Sequence, residues 1–189
     1  MRTLLLGLFT LASFAAKSQE YVFKPIYVNH TETGALFGRV GPLDNNVGVA
    51  NKVNFTAQTF NGILVRPRLA TGITLGIDWY NAVLINPVAA GIRYDIKRRQ
   101  NTSFFATGDM GYGFTWFQKD NPRYETHGGW MLNPGFGFRM GSMGSTGFTM
   151  VFFYKMQKAR VDKPITGDMI ERYEERTYNR IGVRLGISF

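Results

Sequence analysis

The feature that most constrains this chain is an alternation of bulky apolar side chains with small or polar ones at every second position. The last segment shows it best: Ile181, Val183, Leu185, Ile187 and Phe189 share one face, and glycine, arginine and serine share the other. A period of two is the signature of a β-strand whose faces meet different surroundings. The pattern therefore predicts an all-β protein.

The same alternation predicts eight strands, covering residues 31–40, 52–65, 69–80, 87–96, 103–117, 127–141, 146–158 and 180–189. Their connectors alternate in length. Residues 66–68, 98–101 and 142–145 are tight turns, whereas residues 41–51, 81–86, 118–126 and 159–176 are mostly longer, polar loops, the last the longest. Short turns at one rim and long loops at the other are typical of outer-membrane barrels. We therefore expect an eight-stranded antiparallel up-and-down transmembrane β-barrel.

The composition decides which face of the strands points inward. Aromatic residues make up 15% of the chain, and 22 of its 189 residues are glycine. An eight-stranded barrel is only wide enough to be filled by side chains, so rows of Trp and Phe would overfill it. The glycine-rich polar face is expected inside and the aromatic face outside, against lipid. A soluble sandwich would leave those aromatic rows exposed without explanation. An aromatic girdle is predicted at the loop-rich rim, formed by Trp79, Tyr94, Trp116, Trp130 and Tyr154.

Charged residues also fall on the predicted inner face. They are Asp78, Arg93, Asp95, Asp109, Arg139, Lys155 and Arg184, with Glu32 as an eighth member if its strand is in register. Unpaired buried charges cost several kcal/mol even after relaxation. We therefore predict a paired lumen charge network that fills the barrel and leaves no permanent ion-conducting pore.

The N-terminus resembles an export signal. Arg2 is followed by an uncharged apolar run at residues 4–16, and the small residues Ala16 and Ser18 predict a cut between Ser18 and Gln19. A membrane-spanning helix needs about 20 apolar residues, and this run is shorter. The expected mature protein is one barrel domain, residues 19–189, in the outer membrane of a Gram-negative bacterium with both termini in the periplasm. The alternating segment that ends at Phe189 is the expected C-terminal signal for the barrel assembly machinery.

Several segments carry a resemblance to a known group. They are residues 31–34, 58–62, 72–80, 133–137 and 178–189. With these the chain resembles the small outer-membrane β-barrel proteins of Bacteroidota, the outer membrane protein beta-barrel domain group. The resemblance covers nearly all of the mature chain and implies outer-membrane residence. It implies no catalytic residues, because the group has no common known activity.

The sequence gives little support for a catalytic or metal-binding site. The chain has no cysteine, which excludes thiolate chemistry and zinc–cysteine sites. His30 and His127 are far apart and are interpreted as a solvated pair rather than metal ligands. His127 lies beside Glu125 at the loop rim, but no serine is near it in sequence. No catalytic, cofactor or metal site is predicted, and the protein is expected not to be an enzyme.

The net charge of +9 raises the question of nucleic acid, which the export signal makes improbable. Five of the basic residues, Arg66, Arg68, Lys97, Arg98 and Arg99, cluster near two tight turns, where anionic lipid headgroups are natural neighbours. The expected partners are membrane lipid, lipopolysaccharide and the assembly machinery. The first hypothesis is a structural or accessory component. The alternatives are a subunit of a larger outer-membrane complex and a small barrel that transports an apolar ligand.

Overall fold

The structure is a computed structural model that describes residues 24–40, 50–80, 83–99, 101–117, 125–141, 143–163 and 172–189. The predicted signal peptide, residues 1–18, lies outside the described residues, as does most of the loop at residues 118–126. No helix in the described part of the chain is long and apolar enough to cross a membrane.

The described part of the chain consists mainly of β-strands. The strands are β1 (Tyr27–Val40), β2 (Ala50–Arg66), β3 (Leu69–Tyr80), β4 (Val83–Arg99), β5 (Thr102–Phe114), β6 (Glu125–His127), β7 (Gly129–Met140), β8 (Gly147–Lys163) and β9 (Arg172–Ser188). Every pairing is antiparallel, and β1 closes the sheet on β9 with pairs from His30–Ser188 to Phe37–Ile181. The predicted closed eight-stranded antiparallel barrel is confirmed.

The short strand β6 does not add a ninth position to the ring. It pairs with the distal part of β8 through Thr126 and Val161, and β7 pairs with the lower part of the same strand. The two therefore follow one edge of β8, separated by Gly128. The beginning of β1 at Tyr27, the last residue Phe189 and the connections that follow β2, β4 and β7 lie at one end of the barrel, called the turn rim. The opposite end is called the loop rim.

Several strands are longer than the alternation predicts, so the predicted loops at residues 81–86 and 159–176 are wrong in part. β4 begins at Val83 and not at Pro87, and the segment at residues 159–176 contains the ends of β8 and β9, which stay paired up to Lys163 and Arg172. The alternation of an apolar outer face with a polar inner face does not hold in these extensions. Val83, Leu84 and Ile85 are apolar on both faces, whereas at the end of β8 the buried residues Ala159 and Val161 are apolar. Backbone pairing continues there all the same. The sequence pattern therefore detects only the part of each strand that has an apolar outer face and a polar inner face.

Two glycines form the turn that follows β7 at the turn rim. Gly141 has φ of 120° and Gly144 has φ of 78°, values that side chains with a Cβ rarely adopt. These two residues reverse the chain between β7 and β8. The turn is therefore tight because of its glycines.

The two faces of the sheet differ as predicted, with one addition inside. Large apolar side chains such as Ile73, Met110, Phe136 and Ile187 are exposed on the outer face. The interior holds the charged residues, but also two apolar clusters. One includes Leu36, Ile85, Phe105 and Phe153, and the other consists of Val28, Phe60, Leu64 and Ala70, packed against Met143. The interior is thus filled by both polar and apolar side chains.

Candidate functional site: the charged interior of the barrel

The candidate site is the interior, where the structure brings together all the charged residues assigned to the inner face. Asp78, Arg93, Asp95, Asp109, Arg139, Lys155 and Arg184 are all buried, and Glu32 is buried with them. They come from β1, β3, β4, β5, β7, β8 and β9. Alternation within each strand points each of them to the same side of the sheet.

These eight residues form four ion pairs. Arg93 Nη1 lies 2.8 Å from Asp109 Oδ1, Arg139 Nη2 lies 2.6 Å from Asp95 Oδ2, and Arg184 Nε lies 3.1 Å from Glu32 Oε2. Lys155 Nζ pairs with Asp78 Oδ2. Each carboxylate thus has one cation as partner. The pairing meets the requirement that a buried charge be compensated.

Asp109 is the most connected member of the network. Its Oδ1 accepts hydrogen bonds from Thr74 Oγ1 at 2.6 Å and from Arg93 Nη1 at 2.8 Å. Its Oδ2 accepts one from Asn133 Nδ2 at 3.0 Å. Donors from β3, β4 and β7 therefore converge on one carboxylate of β5, which ties four strands together from the inside.

Two contacts cross the lumen. Lys155 on β8 donates to Asp78 on β3, and Thr56 Oγ1 donates to the other oxygen of Asp78 at 2.7 Å. Asn133 Nδ2 on β7 lies 3.5 Å from Gln58 Oε1 on β2. Each pair joins strands on opposite sides of the eight-stranded ring. A chain of polar contacts therefore spans the interior.

Each buried arginine also lies over an aromatic ring, which the sequence analysis did not anticipate. The guanidinium carbon of Arg184 is 3.7 Å from the ring centroid of Phe153, that of Arg93 is 4.3 Å from Phe60, and that of Arg139 is 5.5 Å from Phe105. A ring face attracts a cation by about 0.5–2 kcal/mol. The phenylalanines thus complement the side of each guanidinium that its carboxylate leaves open.

The interpretation of His30 as solvated is wrong. The residue is fully buried, its ring meets Phe60 and Phe105 edge-on at 6.0 and 5.5 Å between centroids, and Nδ1 lies 3.9 Å from Glu32 Oε1. The reason is the length of β1, which starts at Tyr27. His30 therefore belongs to the inner face of a strand rather than to a leading loop.

His127 belongs to a separate exposed cluster at the loop rim. Its Nε2 lies 3.0 Å from Asp162 Oδ2, and Arg160 Nε lies 2.9 Å from Asp162 Oδ1. The hydrogen bond from Arg160 holds the pKa of the Asp162 carboxyl below its ordinary value, and His127 adds to this effect. The side chain of Glu125 is outside the described set. Within the described residues, no three His, Asp or Glu side chains are arranged to hold a metal ion.

One aromatic residue is at the wrong end for the predicted girdle. Trp79, Trp130 and Tyr154 are exposed on the outer face toward the loop rim, and Trp116 follows β5 and stacks on Phe114 at 4.4 Å. Tyr94 instead pairs with Leu69, the first residue of β3 after a tight turn. β4 descends toward the turn rim, so Tyr94 lies near that rim.

The C-terminal segment closes the barrel. Ile181, Leu185, Ile187 and Phe189 are exposed on the outer face, and Val183 is half-buried beside them. Phe189 N donates to Asn29 O at 3.0 Å, and Asn29 N donates to Phe189 O at 2.7 Å. The last residue thus forms the lowest hydrogen-bonded pair of the seam between the two ends of the chain.

Comparisons with known proteins identify the fold of this chain but do not assign it to a family. No protein-family profile matches the chain, and no curated protein matches it significantly. The resemblance to the Bacteroidota group therefore stays a prediction.

Solved structures do match. The chain is similar to the outer membrane protein AlkL in lipid bilayers, with 12% identity, a TM-score of 0.52, and coverage of 91% of this chain and 95% of that one. The N-terminal β-barrel domain of Pseudomonas aeruginosa OprF gives 10% identity, a TM-score of 0.51 and coverage of 86% and 97%. The outer membrane protein OprG of Pseudomonas aeruginosa gives 7%, 0.50, and coverage of 86% and 93%. This protein shares the fold of small outer-membrane β-barrels.

Proposed function

We propose that this protein is a non-enzymatic integral outer-membrane barrel that acts as a structural or accessory component, with its lumen closed by its own side chains. The observation that carries the proposal is the Lys155–Asp78 pair, which crosses the interior between strands on opposite sides. The three remaining ion pairs and the apolar clusters occupy the space around it. An open channel requires a continuous aqueous path, and paired buried charges oppose one.

Residence in the outer membrane is supported by the exposed apolar belt and by the shared barrel fold. Every backbone group in the hydrocarbon layer needs an internal partner, and only a closed barrel supplies this with strands. We propose that residues 1–18 are a cleaved export signal and that the turn rim, with both termini, faces the periplasm.

Fractionation and solute flux test the proposal together. The protein should be found in the outer-membrane fraction as a heat-modifiable band, and liposomes containing it should not swell in isotonic small sugars. Swelling as fast as with a known open barrel would contradict the closed lumen. The two alternatives, a complex subunit and a transporter, predict a co-purifying large barrel or a bound apolar molecule after extraction in mild detergent.

A further inference from the structure

Two β-bulges interrupt the regular pairing of the barrel wall near the turn rim. The pairing of β2 with β3 shifts register between Leu64 and Arg66, and the pairing of β4 with β5 shifts between Asp95 and Lys97. Each bulge lies close to the residue at which its strand ends. Bulges at the rim of a barrel change the direction in which a side chain points.

The bulge in β2 turns Arg66 to the outer face. Leu64 is buried inside the barrel, so a regular strand would also point the residue two positions further on inward. The register shift instead places Arg66 opposite Leu69, whose neighbour Ala70 is the buried, inward residue. Arg66 is therefore exposed outside the barrel, beside the exposed Val65.

The bulge in β4 does the same for Lys97. Asp95 points inward, where it pairs with Arg139. Lys97 is paired with Phe104, which is exposed on the outer face. Ile96 and Lys97 are both exposed and therefore lie side by side outside the barrel. Each bulge thus places one apolar residue and one cation together on the outer surface.

The two bulges belong to one connected region. Arg66 pairs with Leu69, and Leu69 pairs with Tyr94 on β4. Two strand spacings therefore separate Arg66 from Tyr94, which corresponds to about 10 Å. The turn after β2 is also joined to the second bulge, since Asp95 N donates to Arg68 O at 2.9 Å. The cations of the two bulges and of the turn are therefore close enough to contact one ligand.

The exposed side-chain charge at the turn rim is all positive within the described residues. It comes from Lys24, Arg66, Arg68, Lys97 and Arg99. The one described carboxylate near this rim, Asp95, points inward to Arg139, and no described carboxylate forms an ion pair with any of the five cations. At the loop rim, by contrast, Asp162 pairs with Arg160. The cations of the turn rim therefore favour an anion from outside the chain.

The outward direction of these cations selects the class of anion. A soluble anion would gain nothing from the exposed apolar residues beside them, Val65 and Ile96, whereas a phospholipid has acyl chains that bury such residues. Further up the same face, Ile63 and Ile92 are exposed on either side of Thr71, with which each is paired. The smaller side chain between them leaves room for an acyl chain.

We propose that Arg66, Arg68 and Lys97 form a binding site for the phosphate of an anionic phospholipid, whose acyl chain lies on the apolar surface next to them. Arginine and lysine form charge-assisted hydrogen bonds with phosphate oxygens. Tyr94 is exposed on the same face, and aromatic residues form girdles at both membrane interfaces. The assignment rests on the membrane residence and orientation proposed above, by which this site lies in the periplasmic leaflet, and not on the closed lumen.

The test measures binding of phosphatidylglycerol by native mass spectrometry, with the protein refolded in lipid-free detergent micelles. Phosphatidylethanolamine with the same acyl chains is the zwitterionic comparison. Phosphatidylglycerol should bind about tenfold more tightly or better, because the ammonium group of the other lipid competes for its phosphate and each charged hydrogen bond is worth at least about one factor of ten.

Three variants test the cations. Arg66→Gln and Lys97→Gln should each raise the Kd for phosphatidylglycerol about tenfold, because each removes one charged donor. Arg66→Lys keeps the charge and should keep most of the affinity. Lys158→Gln is the matched control: it removes an exposed cation from the outer face of β8 at the loop rim and should leave Kd unchanged.

Several outcomes would overturn the proposal. They are an unchanged Kd in either Arg66→Gln or Lys97→Gln, an equal affinity for the two lipids, and a loss of the same size in Lys158→Gln. Full competition by inorganic phosphate would also overturn it, because it would indicate a free-phosphate site. None of these measurements depends on solute flux, so a leaky barrel that binds phosphatidylglycerol at this site would contradict only the closed lumen.

Discussion

The Arg93 guanidinium on β4 donates to the Asp109 carboxylate on β5 across 2.8 Å, with both side chains fully buried. The two residues belong to neighbouring strands, and Asp109 also accepts from Thr74 and Asn133. The carboxylate therefore holds an arginine and two neutral donors in place at once. Its removal would leave all three donors without this acceptor.

Asp109→Ala should destabilise the folded barrel by about 3–5 kcal/mol, because breaking a buried pair leaves an uncompensated charge. Urea unfolding in detergent micelles measures the change. Replacing both partners, Arg93→Met with Asp109→Leu, should recover much of the loss, since an apolar pair needs no compensation. Asp162→Ala, at an exposed ion pair, serves as the control and should leave the midpoint nearly unchanged.

Deletion of Phe189 should lower the folded fraction in the outer membrane. The residue donates one backbone hydrogen bond to Asn29 and accepts another from it, and its ring contacts that of Tyr27 at 6.3 Å between centroids. The shift of the folded band on unheated gels measures the fraction. Phe117→Ala, at an exposed residue outside the strands, controls for the loss of a phenylalanine. Normal amounts of folded barrel in the deletion strain would count against a terminal assembly signal.

Cysteine labelling on intact cells should separate the two rims. The natural chain has no cysteine, so all labelling of a variant comes from the thiol that was introduced. Asn51→Cys and Glu175→Cys, both exposed at the loop rim, should react with an impermeant reagent. Arg68→Cys and Asn101→Cys at the turn rim should react only after lysis. The reverse pattern would invert the topology, and labelling of all four would indicate a soluble secreted protein.

The attachment of β6 to β8 should survive moderate acid. The pKa of Asp162 is lowered, chiefly by the hydrogen bond from Arg160. A lowered carboxyl pKa adds stability that is present above the ordinary pKa and is lost as the pH falls through the lowered one. An NMR titration of the Asp162 carboxyl carbon should therefore place its midpoint below that of an ordinary aspartate. Arg160→Gln should move the midpoint upward; an unmoved midpoint would exclude Arg160 as the main cause.

The alternation in the sequence was sufficient to predict the barrel, because it reflects the difference between the surroundings of the two faces of each strand. Phe136 and Arg139 alternate on β7 since one meets the outside and the other the interior. The pattern fails where the two faces exchange character. β8 continues from Lys158 to Lys163 with polar residues outside and the apolar Ala159 and Val161 inside, and the backbone pairing with β6 and β9 shows that it is still a strand.

The interior was only partly predictable for a different reason. The alternation along each strand identified the charged residues that point inward. It could not show which cation pairs with which carboxylate, because Arg139 pairs with Asp95 two strands away and not with a residue of a neighbouring strand. Phe105 and Phe153 also have inward parity. The prediction of a polar lumen did not take them into account. A buried guanidinium that has one carboxylate partner still has a free face, and a phenylalanine ring packs against that face.

The closed lumen is tested most directly by single-channel recording of the purified wild-type protein in planar bilayers. The account predicts no steady conductance steps, because the Lys155–Asp78 pair and its neighbours span the interior. The double variant Asp78→Gly with Lys155→Gly, which removes both members of the crossing pair, should conduct more than the wild type. Steady, long-lived conductance steps from the wild-type protein would contradict the account.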